Sequence, residues 1–397
     1  MREHKAIAHS APPGMPWHWT VIVLVIVFAV ALIRPFAPHG IGEYAHRLAG
    51  LPLTLDIGNG RSVRLIEEPA VKTGCQSDDV RWTPDGTALV IACPDSLQVW
   101  ARDGRRIGSV DTPNGWPQRH MQVLGDPLRV YYLGTAAERG LSEVELKVWD
   151  VEHGKISVAP EAPGSVNNFT VDKDQSRAAL VSAAGWDIWI MSLEDGQLKQ
   201  TIHAHPAALS LQWVPGAQSL LLGSFDGVLR RADLPTGEVR ELAAPYTTKF
   251  TAGGGAQGSV DGLVPSPDGK SVTIFNTSSS IFPAPGRNYT DDAAAKKWDD
   301  DLGSRVQIRT IDDGRLMARA PGGVEVLPRG LAWDPRDRFI AVAGGDAVIL
   351  WGWRSGGQAV MTYNDPGIVH MLSISNDGAR LAVTTGNGLR ILRIEEN

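Results

Sequence analysis

From residue 61 onward the chain is a succession of short apolar runs separated by polar turns. The cleanest copy opens with Val80-Arg81-Trp82 and breaks at Thr83-Pro84-Asp85-Gly86. It resumes from Leu89 to Ala92 and from Leu97 to Trp100, turns at 101–104, and ends with a run over 105–110. Each run has strand length and is rich in β-branched or aromatic residues. The turns hold Pro, Asp and Gly, the types that favour tight reversal. The pattern predicts a four-stranded antiparallel meander.

The first turn of this unit recurs as TPDG at 83–86, LGDP at 124–127, VDKD at 171–174, VPGA at 214–217, SPDG at 266–269, DPRD at 334–337 and SNDG at 375–378. Most starts are 41 to 52 residues apart; the step from 266 to 334 is longer and calls for an insertion, placed at 277–303. The last turn recurs with Gly104, Gly154, Gly196, Gly237, Gly314 and Gly357 at its end. Seven first turns against six last turns predict seven units, one of them a strand short. The final unit offers strands near 368–374, 380–384 and 389–394, and the sequence then stops at Asn397. The run Arg61–Glu67 precedes the first full unit and is expected to supply the missing outer strand. A single four-stranded blade cannot bury both faces, so repeated blades stack around a channel and close on themselves. The expected fold is all-β, a seven-bladed β-propeller over 53–397.

The repeat resembles the WD40 family of propellers, in its divergent, bacterial form, over about residues 61–397. Trp149-Asp150 matches the Trp-Asp ending of the third strand, and Trp100 and Trp351 hold the same Trp position, each five residues after an Asp (Asp95, Asp346). His205, Ser224 and Asp226 stand where the family places a His–Ser–Asp hydrogen-bond network, which the resemblance implies is structural. Ala232 replaces the Trp of that unit, and most units lack the His.

The first 52 residues follow a different pattern: a tail over 1–16, an apolar segment over 17–36 and a linker over 37–52. The middle segment has about the 20 residues a bilayer core requires. Trp17 and Trp19 suit an interfacial belt, and Arg34 stands near the other end. It predicts one transmembrane helix. The alternative is a cleaved signal peptide, with Ala29-Val30-Ala31 as the site; Leu32 and Ile33 continue the apolar run and favour an anchor. Lys and Arg nearly balance across the segment, with a slight preference for a cytoplasmic N-terminus. The short tail and large following domain suit a signal-anchor, so the expected location is a bacterial inner membrane with the propeller in the periplasm.

Composition adds exclusions. Charged residues are 21 % and the net charge is −6, which lacks the basic face of a nucleic-acid binder. The 43 Gly and 26 Pro are spread evenly, as many short strands require. Two cysteines are too few for a disulfide scaffold. The turn at 83–86 sets a register that brings Cys75 opposite Pro94, one residue from Cys93. A disulfide between them would agree with export; two separate buried thiols are the alternative.

Residues that suggest chemistry have plainer explanations. His203 and His205 lack a visible third metal ligand. Asp291, Asp292 and Asp299 to Asp301 lack the spacing of a calcium loop and fit a capped, solvated helix. Gly253 to Gly255 lack the Lys-Ser/Thr of a phosphate loop. Trp82, Trp213 and Trp333 share one packing position. Asn168, Asn276 and Asn288 open formal glycosylation sequons that matter only in a secretory eukaryotic cell. No catalytic, cofactor or metal site is expected.

The leading functional expectation is a non-enzymatic scaffold that docks a protein partner at the membrane. A ligand-sensing propeller and a lactonase-like or quinone-cofactor enzyme are the alternatives. Connections between second and third strands share a face with those between blades. The longest there are 244–259, with Tyr246, Lys249 and Phe250, and 277–303, with Ile281, Phe282, Tyr289 and Trp298; the 134–143 loop joins them. Their aromatic and charged content is that of binding hot spots.

Overall fold

The computed structural model describes residues 53–397 apart from 70, 78, 113–120, 137–142, 245–258, 277–304, 322–327, 346, 364–368 and 387. Residues 1–52, with the expected transmembrane helix, lie outside that description. Among the described residues no helix is long and apolar enough to cross a membrane.

The described strands form seven antiparallel sheets: blade 1 over residues 79–111, blade 2 over 121–158, blade 3 over 166–203, blade 4 over 208–243, blade 5 over 262–319 and blade 6 over 330–362. Blade 7 has five strands in the order Leu53–Gly58, Arg61–Glu67, Gly388–Glu396, Arg380–Thr385, Leu372–Ile374. The outer strand expected of Arg61–Glu67 is present, paired from Val63↔Glu396 to Glu67↔Leu392. Leu53–Gly58 extends the sheet further, pairing with Arg61–Glu67 across a tight hairpin at Gly58, Asn59 and Gly60. All three of those residues have positive φ, the conformation that an Asn-Gly hairpin turn demands.

The hydrophobic pattern explains the stacking. Seven apolar clusters lie one between each pair of neighbouring blades. Second strands read as unbroken apolar runs because they are buried on both sides. In Ala88–Ala92, Leu89 and Ile91 join the cluster toward blade 7, while Ala88, Val90 and Ala92 join the cluster toward blade 2. Outer strands such as Leu198–His203 are largely exposed and polar.

Cys75 and Cys93 are joined in a disulfide with Cα atoms 5.9 Å apart. The hairpin register differs from expectation: Trp82 faces Leu89 rather than Thr87. Asp85 Oδ1 accepts the Thr87 N–H at 3.0 Å and keeps Thr87 inside the turn. Cys75 precedes the ladder, which starts at Asp79, so its approach to Cys93 is set by the incoming connection and not by strand register.

Candidate functional site

Connections between first and second strands all fall on one face, and their chemistry is uniform only in part. In three of them a hydroxyl donates to the Asp two residues on, Thr83 to Asp85 at 2.6 Å, Ser266 to Asp268 at 2.6 Å and Ser375 to Asp377 at 2.5 Å. The following Gly86, Gly269 and Gly378 have positive φ, which ordinary side chains resist. The Thr83 and Ser266 hydroxyls are the main cause holding Asp85 and Asp268 below the usual carboxylate range. Two other turns use an arginine instead: Arg177 on Asp172 at 3.1 Å and Arg338 on Asp334 at 2.7 Å. Several turns are also bonded to their neighbours. Asn376 Nδ2 donates to Pro84 O at 2.7 Å, Gln175 Nε2 to Gly125 O at 2.8 Å, and Arg177 Nη1 to Gln218 Oε1 at 2.9 Å.

The first strands line a central channel of about 1110 Å³. Around blades 1 to 4 its wall is polar, and the polar side chains bond to the next blade's backbone. Asp79 Oδ2 accepts from Met121 N at 3.1 Å while Arg81 Nε donates to Met121 O at 3.1 Å. Gln122 both donates to and accepts from Val171, each at 2.8 Å. Asn168 Nδ2 donates to Leu209 O at 2.8 Å, and Ser210 Oγ to Val260 O at 2.9 Å. The wall at blades 5 and 6 is mainly apolar, with Leu263, Val264, Leu331 and Ala332. There Gly262 and Gly330 leave space that Phe275 and Met371 occupy: a Cβ would stand 2.1 Å from the Phe275 ring and 2.7 Å from Met371 Sδ. Arg329 and His370 add cationic or titratable groups to the lining, and Asp261 an acidic one. This polar zipper was not anticipated from sequence, although Arg81, Gln122 and Gln212 interrupt otherwise apolar first strands at one shared position.

The residues singled out as structural divide. Trp100, Trp149 and Trp351 are buried at equivalent third-strand positions, facing Leu89, Val130 and Ile340. Asp150 closes its strand and accepts from His153 N at 3.0 Å and His153 Nδ1 at 2.9 Å. Among the described residues no hydrogen bond joins the side chains of His205, Ser224 and Asp226. His205 is exposed with its ring centroid 4.7 Å from that of Trp186, and Ser224 Oγ is buried with no hydrogen-bond partner among the described residues. Asp226 instead grips Arg230 at 2.8 and 2.7 Å. The reason is local: Arg230 stands four residues on, where its planar fork meets a carboxylate in two charge-assisted bonds. Burial opposes ionisation of Asp226, but those bonds and the Val228 N–H outweigh it and hold its carboxyl low.

Trp82 and Trp213 do more than pack. Their indole N–H groups donate to Ser373 O at 3.1 Å and Thr170 O at 3.2 Å, each on the preceding blade. Trp333 instead donates to Asp337 of its own blade at 2.8 Å. Asn168 and Asn276 are buried and hold Leu209 O and Ser259 O, so their side chains are committed to structure. His203 Nδ1 bonds Asp187 Oδ1 at 2.7 Å. The residues expected to bind a partner, Tyr246, Lys249, Phe250, Phe282, Tyr289 and Trp298, lie outside the described residues.

Comparison with known protein families and with curated proteins finds no match to this chain.

Proposed function

We propose that this chain is a membrane-anchored, non-enzymatic scaffold of the WD40-like type that docks a protein partner. The observation that carries the reading is the inequality of the two faces. One is occupied by short turns, several bonded to each other, while the connections that are longest in sequence join strands on the other. Trp100, Trp149 and Trp351 at matching third-strand positions support the WD40-like kinship. The Cys75–Cys93 disulfide supports an oxidising compartment. With the apolar 17–36 segment as anchor, it favours a bacterial inner membrane with the propeller in the periplasm.

The test is crosslinking and pull-down of the full chain solubilised from membranes. A stoichiometric protein partner is expected. Replacing 277–303 by a Gly-Ser link, or Phe282 and Trp298 by Ala, should abolish its capture while circular dichroism shows an intact propeller. Full recovery by both variants overturns the assignment to these connections. The channel supports a second reading, a sensor for a small ligand, because one wall carries the Asn167 and Gln212 amides and the other is mainly apolar. Native mass spectrometry showing a bound small molecule and no protein partner would favour it.

A further inference from the structure

Six large apolar side chains are exposed among the described residues. Ile107, Val158, Leu198 and Met317 stand singly on outer strands of four separate blades. Trp186 and Phe225 differ. They are 48 % and 43 % exposed, and both sit between second and third strands, in neighbouring blades 3 and 4. They therefore share the face of the long connections.

The segment 204–207 between these blades fixes both. Ala204 N donates to Trp186 O at 2.7 Å, Ala208 N to Gly185 O at 2.8 Å, and Phe225 N to Ala207 O at 2.9 Å. Gly185 has φ +76°, and a Cβ there would stand 2.8 Å from Ala208 O and 2.9 Å from the Ala207 Cβ. The Trp186 turn thus tolerates no other residue at 185 without shifting. The His205 ring lies against Trp186 with its plane tilted 57°. The result is an aromatic surface whose backbone is held in place before binding.

Its surroundings are acidic. Asp187 follows Trp186 and is bonded to His203, while Asp226 follows Phe225 and shares Arg230 with Glu241. The Arg230 side chain is only 6 % exposed, bound to Asp226 and Glu241. Trp and Phe beside carboxylates suit an apolar anchor with a neighbouring cation, which an indole face also attracts. Carboxylates at that position disfavour an anionic lipid surface.

We propose that Trp186, His205 and Phe225 form a docking surface for a protein segment bearing an apolar anchor flanked by lysine or arginine. The proposal rests on the scaffold reading and adds the location and chemistry of the contact.

The test places the photo-crosslinking residue benzoylphenylalanine in the full chain, in its native membrane, at position 186 or 225. Positions 107 and 298 serve as references. The expected result is a discrete protein adduct from 186 and 225 and none from 107, with Lys or Arg adjacent to the crosslinked residue of the partner. Asp187→Lys combined with Glu241→Lys should lower the adduct yield about tenfold or more, with the fold unchanged by circular dichroism. Adducts with lipid, adducts indifferent to charge reversal, or a crosslinked segment without basic residues overturn the proposal. Adducts from 298 alone overturn it and leave the scaffold reading standing; no adduct from any position removes both.

Discussion

Blades 3 and 7 begin alike and are completed differently. Blade 3 takes all four strands from one stretch, 166–203, and its ion pairs on the outer strand are local, such as Lys199–Asp195 at 2.6 Å. Blade 7 takes its inner strands from 372–396 and its outer strands from 53–67. Three of its ion pairs are long-range: Arg61–Glu396, Arg380–Glu68 at 3.3 Å and Arg390–Glu67 at 2.8 Å. Ser62 and Asn397 exchange backbone bonds at 3.0 and 2.9 Å. Leu53–Gly58 also reaches across to blade 6, where Ser355 Oγ donates to Asp56 O at 2.9 Å and a Cβ on Gly357 would stand 2.4 Å from the same oxygen. Leu55, Val63 and Leu65 enter the apolar cluster between blades 6 and 7. A ring of hairpins is local everywhere except where it closes. The entropic cost of that one non-local pairing is offset by interactions concentrated at the seam.

Removing the seam strands gives the largest expected effect. Deleting 53–67 strips three buried side chains from the blade 6–7 cluster and unpairs the outer edge of the last strand over Leu392–Glu396. The variant should lose most of a stability on the order of 5–15 kcal/mol. Thermal unfolding should then show a broad transition far below that of the parent, and an unchanged Tm would refute closure through these strands.

A second comparison uses one device in two settings. Arg338–Asp334 and Arg177–Asp172 both cap a first turn, but the first pair is 3 % and 0 % exposed and the second 30 % and 10 %. Arg338 also donates to Gly378 O of blade 7 at 2.5 Å. Arg338→Ala leaves the Asp334 charge buried and should cost about 3–5 kcal/mol. Arg177→Ala should cost roughly 1 kcal/mol or less. Urea melts of both variants check the ratio; equal losses would mean that burial at the seam is not what distinguishes them.

The disulfide belongs to the same seam. Cys75 lies in the connection from Arg61–Glu67 into blade 1 and Cys93 at the end of the second strand of that blade. Closing a loop of 18 residues predicts a loss of about 3 kcal/mol for Cys75→Ala with Cys93→Ala. Mass spectrometry after alkylation without reductant should find neither cysteine labelled in the parent.

How much of this could be read from sequence depends on where the information sits. The blade count was legible because each first turn must carry its own reversal chemistry, as in Thr83-Pro84-Asp85-Gly86. Arg61–Glu67 was legible from the alternation of Val63 and Leu65. Leu53–Gly58 carries equal signals, Leu53, Leu55 and Ile57 followed by Gly-Asn-Gly, yet its second contact, with blade 6, exists only once the ring is closed. The family positions of His205, Ser224 and Asp226 say nothing of Arg230, which holds the Asp226 carboxylate. Trp186 and Phe225 are 39 residues apart in sequence and become neighbours only because 204–207 ties their turns together.

The smallest expected effect separates the long-range pairs of blade 7 from local ones by pH. Glu396 accepts from Arg61 Nε at 2.8 Å, and that hydrogen bond is the main cause holding its carboxyl below the usual glutamate value of 4.5; partial burial opposes it, and the charges of Arg61, Arg338 and Arg336 reinforce it. A depressed folded value means that the ionised form stabilises the folded chain. The contribution is fully present above about pH 4.5 and is lost as pH falls through the lowered value. Arg61 is more than half exposed, so the pair is worth on the order of a few tenths of a kcal/mol. Arg61→Gln should therefore melt slightly below the parent at pH 6, and the two curves should converge as pH drops toward 3. Carboxylates elsewhere titrate in both proteins and cancel in the difference. A gap that persists unchanged at acid pH would assign the loss to packing of the Arg61 stem instead of to its charge on Glu396.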